Sequence, residues 1–257
     1  MNLRVNFSKT VARPSVRELT ETMVYDYEFR NFVFGNSQLK MVEIQNYDVR
    51  AEAFFENGDN ISMSLFYKDF KNHIEQIKTL QGFSWQNAES ANVYGLEIDG
   101  RKGIIPGLEI RANLTLAKSY TRVINQFLAI DKGIKNFIPI DTVQRQMFGQ
   151  APYVFNTLIS YTHEKTGLTA SAGYNVQGPR LVVVSADLTP DVYEMPRHLV
   201  DLRISKTIYK GMSVSIAVRD LLNSPIRRSY KYPEGYSLDF DRFTYGTNYQ
   251  ISFSYRI

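Results

Sequence analysis

Along most of this chain, apolar and polar residues alternate with a period of two. The last stretch shows it most fully. Tyr245, Tyr249, Ile251, Phe253, Tyr255 and Ile257 hold odd positions, whereas Gly246, Asn248, Gln250, Ser252, Ser254 and Arg256 hold even ones. A strand sends successive side chains to opposite faces, so the pattern predicts one apolar face and one small, polar face. The run exceeds the usual strand of about 5–6 residues and suits a tilted strand of roughly 9–11 residues crossing a bilayer. Its aromatics lie near both ends of the apolar face, as on a lipid-facing barrel strand.

The same reading gives ten strands, near 2–12, 42–55, 60–71 with a continuation toward 79, 91–102, 107–120, 152–163, 167–177, 198–209, 212–222 and 244–257. In 42–55, Tyr47, Val49, Ala51, Ala53 and Phe55 oppose Asn46, Asp48, Arg50, Glu52 and Phe54. In 107–120, Leu108, Ile110, Ala112, Leu114 and Leu116 oppose Glu109, Arg111, Asn113 and Thr115. In 212–222, Met212, Val214, Ile216 and Val218 oppose Ser213, Ser215, Ala217 and Arg219. Alternation also suits a soluble sandwich whose polar face meets water. The connections separate the two. Short turns at 56–60, 103–107, 164–167 and 209–211 carry the Gly, Asn and Pro of tight hairpins. They alternate with long loops over roughly 13–41, 121–151, 178–197 and 223–243 and a shorter one near 80–90. Transmembrane barrels sort their connections this way, with brief periplasmic turns and extended outer loops.

Composition changes the picture little. The 257 residues include 17 Tyr and 16 Phe against one Trp and no Cys, so a disulfide framework and thiol chemistry are excluded. No run of ~18 apolar residues offers a helical span. A mean hydropathy of −0.28 is compatible with a barrel, whose two faces average out. A formal charge of +4 reads as mixed charge on loops and a polar face, with no nucleic-acid partner expected. The strand-like run Asn2–Ser8 follows Met1 directly, so an exported protein is expected to be cut from a longer precursor.

Several stretches, in this order and spacing, resemble the C-terminal part of the β-barrel of TonB-dependent outer-membrane receptors, particularly the Bacteroidetes-type branch. They are Thr10-Val-Ala-Arg-Pro-Ser-Val-Arg-Glu-Leu19, Tyr25-Asp-Tyr27, Gly35-Asn-Ser-Gln-Leu-Lys40, Asn46-Tyr-Asp-Val-Arg-Ala-Glu52, Phe66-Tyr-Lys68 and Ile74-Glu75. Val93-Tyr-Gly-Leu-Glu97, Ala151-Pro-Tyr-Val-Phe-Asn156, Asp201-Leu-Arg203, Asp220-Leu-Leu-Asn223 and the final strand agree. The resemblance implies an all-β, antiparallel segment of about ten strands from a barrel of roughly 22, over 1–257, without the plug domain or the TonB-contacting segment. The family's usual terminal Phe or Trp is replaced by Ile257. Implied too are the cell outer membrane, transport rather than catalysis, no cofactor, and partners that include membrane lipid, lipopolysaccharide, the plug, TonB and a nutrient: a ferric siderophore, haem, cobalamin, glycan or peptide.

Candidate residues follow. Asp48, Arg50, Glu52, Arg111 and Arg219 lie on the polar face and are expected to line the lumen or hold the plug. In the outer loops Tyr25 and Tyr27, with Phe29, Phe32 and Phe34, are candidates for stacking on ligand rings or for packing the loop down. Arg227 and Arg228, with Tyr230 and Tyr232, form a basic aromatic segment suited to anionic ligands. Arg13-Pro14 and Arg17-Glu18 read as loop-turning residues. His73, His163 and His198 have no metal-type spacing, and no nucleophile or phosphate-loop motif occurs. Two alternatives stay open. One is a complete ten-stranded outer-membrane barrel, such as a pore or an omptin-like protease, for which His73 with Glu75 is the nearest acid–histidine pair. The other is a soluble all-β binding module.

Overall fold

Alternation becomes hydrogen-bonded ladders in a computed structural model, which describes residues 1–27, 31–79, 81–131, 134–184, 190–209, 211–232 and 235–255. The strands run β1 (Asn2–Ala12), β2 (Val24–Asp26), β3 (Asn31–Val33), β4 (Val42–Phe54), β5 (Asn60–Lys71), β6 (Ile74–Thr79) and β7 (Gly82–Asn87). Next come β8 (Ser90–Ile105), β9 (Leu108–Asp131), β10 (Ile134–Arg145), β11 (Tyr153–His163), β12 (Leu168–Gln177) and β13 (Arg180–Val183). The last are β14 (Val192–Glu194), β15 (Arg197–Tyr209), β16 (Met212–Arg219), β17 (Ile226–Lys231), β18 (Ser237–Phe243) and β19 (Asn248–Tyr255). One short helix, α1 (Val16–Leu19), opens the first long loop. Its capping box joins Ser15 and Glu18: Ser15 N donates to Glu18 Oε2 at 2.7 Å and Glu18 N to Ser15 Oγ at 3.3 Å.

The ten expected strands form one antiparallel sheet in the order β1-β4-β5-β8-β9-β11-β12-β15-β16-β19, with β10 paired to the far part of β9. Every link along that path joins neighbours in the strand list of the alternation reading. Register aligns the apolar side chains into rows. Val5 stands opposite Val49, Val49 opposite Leu65, Leu65 opposite Leu96, and Leu96 opposite Leu116. Nothing in the described chain covers this face: Leu3, Val5, Leu65, Ile251 and Phe253 are all more than half exposed. An uncovered apolar surface of this extent demands an apolar surrounding. Aromatics border it toward the long loops, where Phe7, Tyr47 and Tyr67 follow one another at 5.0 and 6.1 Å between ring centroids. Toward the short turns stand Phe55, Tyr209 and Tyr255.

The short turns lie where the sequence places them. Gly107 (φ +84°) has the left-handed backbone its turn requires, and a Cβ there would strike the Thr162 carbonyl. The expectations for Lys210 in the last short turn and for Arg256 and Ile257 fall outside the described residues. Some boundaries need correction. β5 does not run on to 79: Asn72 takes φ +58°, and β6 enters another sheet. β16 ends at Arg219 because Asp220 adopts φ +52°, and β19 begins at Asn248, past Gly246 at φ +84°. The stretch 121–151, expected as loop, instead continues β9 and returns as β10.

The long loops build two further sheets, β2-β3-β7-β6 and β13-β14-β17-β18. They meet where Lys78 N donates to Val184 O at 3.0 Å. Val33, Phe83, Val182, Val183 and Val192 form the buried cluster between them, with Trp85, Tyr230 and Phe240 packed against it. The apolar core of the described molecule thus sits in this loop lobe, not in the ten-strand sheet.

Candidate functional site

Two places gather polar chemistry: the polar face of the sheet and the loop lobe above it. On the sheet, Glu52, Ser62, Asp99, Asn113, Asn156 and Asn175 stand in one row, each opposite the next. Their side chains bond along the row. Ser62 Oγ donates to Asp99 Oδ2 at 3.3 Å and Asn113 Nδ2 to Asp99 Oδ1 at 3.3 Å. Asn156 Nδ2 donates to Asn113 Oδ1 at 2.6 Å, and Asn175 Nδ2 to Asn156 Oδ1 at 2.5 Å. Each amide donates toward the Asp99 carboxylate, so the bonds polarise one another in one direction. Arg50 closes the other end. It meets Glu52 Oε1 at 2.7 Å, Ser64 Oγ at 2.9 Å, Ser62 Oγ at 2.8 Å and Asp99 Oδ2 at 3.5 Å. Arg4 holds the second Glu52 oxygen at 3.1 Å. A trough of about 620 Å³ runs along this face, lined by Asp99, Arg111, Asn113, Asn156, Asn175 and Asp201 among others.

In the loop lobe the most buried charge is Glu75, with no exposed side-chain surface. Arg145 Nη2 lies 2.7 Å from its Oε2, His73 Nε2 3.3 Å from its Oε1, and Phe148 N donates to Oε1 at 3.2 Å. Glu75 lies on β6, and these partners come from the residue just before β6, the end of β10 and the turn beyond it, so one carboxylate ties separate connections together. The omptin-like alternative needs an accessible acid beside His73, whereas Glu75 is sealed and ion-paired. Tyr193 is also half-sunk here, and burial pushes its hydroxyl above the ordinary tyrosine range.

The expected site residues fall into separate groups. Arg50 and Glu52 belong to the wall network, and Asp48 shares their face opposite Asn6 and Phe66. Arg111 joins Arg101 around Glu109, at 2.5 and 2.6 Å respectively, near the short-turn end. Arg219 stands alone of these at the long-loop end of β16, opposite Asn248. Tyr25 meets Tyr27 and Phe32 edge-on at 5.1 and 5.5 Å, and Tyr27 is almost fully exposed. Phe29 lies outside the described residues. Arg227 pairs with Asp239 at 2.6 Å, which holds that carboxyl below the usual aspartate range. Arg228 is buried against Asp241 at 3.1 Å and the Phe243 ring at 5.6 Å. Tyr230 packs on Phe240 at 5.5 Å. Of the other histidines, His163 meets Thr166 Oγ1 at 2.8 Å and His198 the Tyr174 hydroxyl at 2.7 Å.

Sequence reasoning missed Asp99, Asn156 and Asn175 as members of the wall network. Each is polar on the right alternation face, but only strand register shows that they share a row. The capping box had a direct signal in the Ser15-x-x-Glu18 spacing.

A family model described as TonB-dependent receptor-like β-barrel matches residues 1–221. Solved structures share the fold. A variant ferric enterobactin receptor of Pseudomonas aeruginosa in complex with enterobactin is 16% identical, with a TM-score of 0.63 over 98% of this chain and 38% of that one. The pyoverdine outer membrane receptor of Pseudomonas aeruginosa PAO1, bound to pyoverdine, is 16% identical, with a TM-score of 0.62 over 99% and 34%. A siderophore receptor of Pseudomonas aeruginosa is 15% identical, with a TM-score of 0.57 over 99% and 39%. The chain therefore spans well under half the length of these structures. Comparison with curated proteins gave no match.

Proposed function

The chain belongs to the TonB-dependent receptor-like β-barrel family, and from that membership we propose that it forms part of the wall of an outer-membrane transporter for energised uptake of a scarce nutrient. The observation that carries this reading is the two-faced sheet. Ten antiparallel strands set an uncovered apolar face against a hydrogen-bonded polar one, with short turns at one end and an ordered loop lobe at the other. In a membrane barrel the first face meets lipid and the second a wet lumen. At roughly 25 residues per strand, a barrel of 22 strands needs on the order of 550 residues, so the ten strands are a share of one.

In this reading the activity is transport, with no reaction performed on the ligand. A plug domain occupies the lumen and meets Asp48, Arg50, Glu52, Arg111 and Arg219, and TonB acts through the plug. Lipid and lipopolysaccharide surround the outside, and nucleic acid is no partner. An iron chelate is the first nutrient class to test, because the structural neighbours named above are siderophore receptors. Tyr25 and Tyr27 then offer accessible rings to the chelate, and Arg227 and Tyr230 border the same lobe. Arg228, buried on Asp241, serves the lobe's fold more than the ligand.

The test is cellular uptake of radioiron carried by a panel of catecholate, hydroxamate and pyoverdine-type siderophores. Deleting the gene is expected to reduce uptake of one chelate to the level of a strain lacking TonB, and complementation to restore it. Unchanged uptake of every chelate, with unchanged haem and cobalamin uptake, contradicts the proposal.

A further inference from the structure

On the face turned to lipid, β9 carries Ile110, Ala112, Leu114 and Leu116, and then Lys118. Two other cations of that face near the long-loop rim have carboxylate partners, Lys71 at 3.7 Å from Glu43 and Arg122 at 3.1 Å from Glu89, whereas Lys9 on β1, opposite Gln45, has none among the described residues. Lys118 also has none among the described residues. Its ammonium lies 5.2 Å from the centre of the Tyr120 ring, and Tyr94 stands opposite it on β8. A lysine at this depth costs about 0–1 kcal/mol when its head reaches the interface.

Two cavities meet at this lysine. Below it an apolar groove of about 610 Å³ runs over Val49, Leu65, Tyr67, Leu96 and Leu116. Above it a polar cleft of about 420 Å³ is lined by Tyr120, Gln144, Gln146, Gln150 and Pro152. Both include Ala117, Lys118 and Pro152. The notch exists because β9 changes neighbours here. It pairs with β11 up to Leu116, Ala117 N then donates to Pro152 O at 2.9 Å, and from Thr121 onward its partner is β10.

We propose that Lys118 and these joined cavities bind a phosphate-bearing lipid of the outer leaflet, its phosphate on the ammonium and an acyl chain along the apolar row. The cation and the exposed Gln144 amide suit an anionic headgroup, whereas Gln146 and Gln150 donate within the cleft to Gln150, Ala117 and Ala151; the groove directly beneath selects a lipid over a soluble phosphate. The inference rests on the reading that this face of the sheet lies in the membrane.

The complete protein, purified in mild detergent, is incubated with diphosphoryl lipid A or with its dephosphorylated form, and bound lipid is counted by native mass spectrometry. Heat-modifiable gel mobility reports the folded barrel in the same samples. Retention of one diphosphoryl lipid A is expected for the native protein, Lys118→Arg and Lys71→Gln, with a loss of about tenfold for Lys118→Gln. Equal retention by Lys118→Gln, or equal retention of the dephosphorylated form, overturns the proposal while leaving the barrel standing. A native protein with no heat-modifiable form overturns the membrane reading itself.

Discussion

Gly95 shows how one missing side chain shapes the wall. It stands opposite Phe66 on β5, and the Phe66 ring lies over it. A Cβ at Gly95 would come within 2.5 Å of Phe66 Cζ and would also strike the Leu116 carbonyl. An aromatic folded across a strand glycine restores the packing that the glycine lacks. Gly95→Val must expel the ring, and the expected cost is about 1–3 kcal/mol. A lowered urea midpoint for the heat-modifiable form would show it; an unchanged midpoint would refute this packing. Asp59 acts at the opposite, short-turn end. Its Oδ1 accepts from Gly103 N at 2.8 Å, and its Oδ2 meets Asn57 Nδ2 at 3.0 Å and Lys102 Nζ at 3.3 Å. The Gly103 amide foremost, then Asn57 and Lys102, hold its carboxyl below the usual range. A depressed carboxylate stabilises the fold fully above its unfolded value near ~3.9 and ceases to do so as pH falls through the lower folded value. Asp59→Asn is therefore expected to flatten the loss of stability below about pH 4. Superimposable acid-unfolding profiles for the two proteins would contradict this linkage of adjacent turns.

At the scale of elements, what was legible depended on whether pairing is local in the alternation. β1 matches the expected 2–12 at both limits, because a long two-period run that ends at turn residues leaves little freedom. Strand ends were harder. Left-handed backbone at Asn72 and Asp220 ends strands that polarity alone would extend. The loop strands were illegible for another reason. β2, β3, β6 and β7 are 3–6 residues long and come from two different connections, so no single segment carries their periodicity. The Arg227 and Arg228 pair looked like open positive charge until the β17–β18 hairpin brought Asp239 and Asp241 against it. The same long-range assembly gives the Glu75 cluster its weight. Removing Arg145 takes the guanidinium from a sealed carboxylate and leaves it His73 and the Phe148 amide, both on Oε1, an expected loss of about 3 kcal/mol from the lobe. Arg145→Ala is expected to open the outer loops to trypsin without changing barrel mobility on gels. A paired Glu75→Leu, Arg145→Met variant should recover much of that loss. Equal protease resistance of Arg145→Ala and the native protein would remove the cluster from its tying role.

For the whole molecule, the division of labour between its faces is the central claim. The apolar core lies in the loop lobe, while the ten-strand sheet keeps one face apolar and uncovered and the other bonded side chain to side chain from Arg4 to Asn175. Such a sheet makes physical sense as a wall between lipid and lumen. The absence of cysteine in this sequence makes the claim directly measurable. In the complete protein in outer membranes, single cysteines would be placed along β19 at Tyr249→Cys, Gln250→Cys, Ile251→Cys, Ser252→Cys, Phe253→Cys and Ser254→Cys and spin-labelled. Collision with dissolved oxygen and with a water-soluble nickel chelate would then be compared at each site. Oxygen is expected to dominate at 249, 251 and 253 and the chelate at 250, 252 and 254, with a period of two along the strand. Equal access of the chelate to both sets would contradict the account.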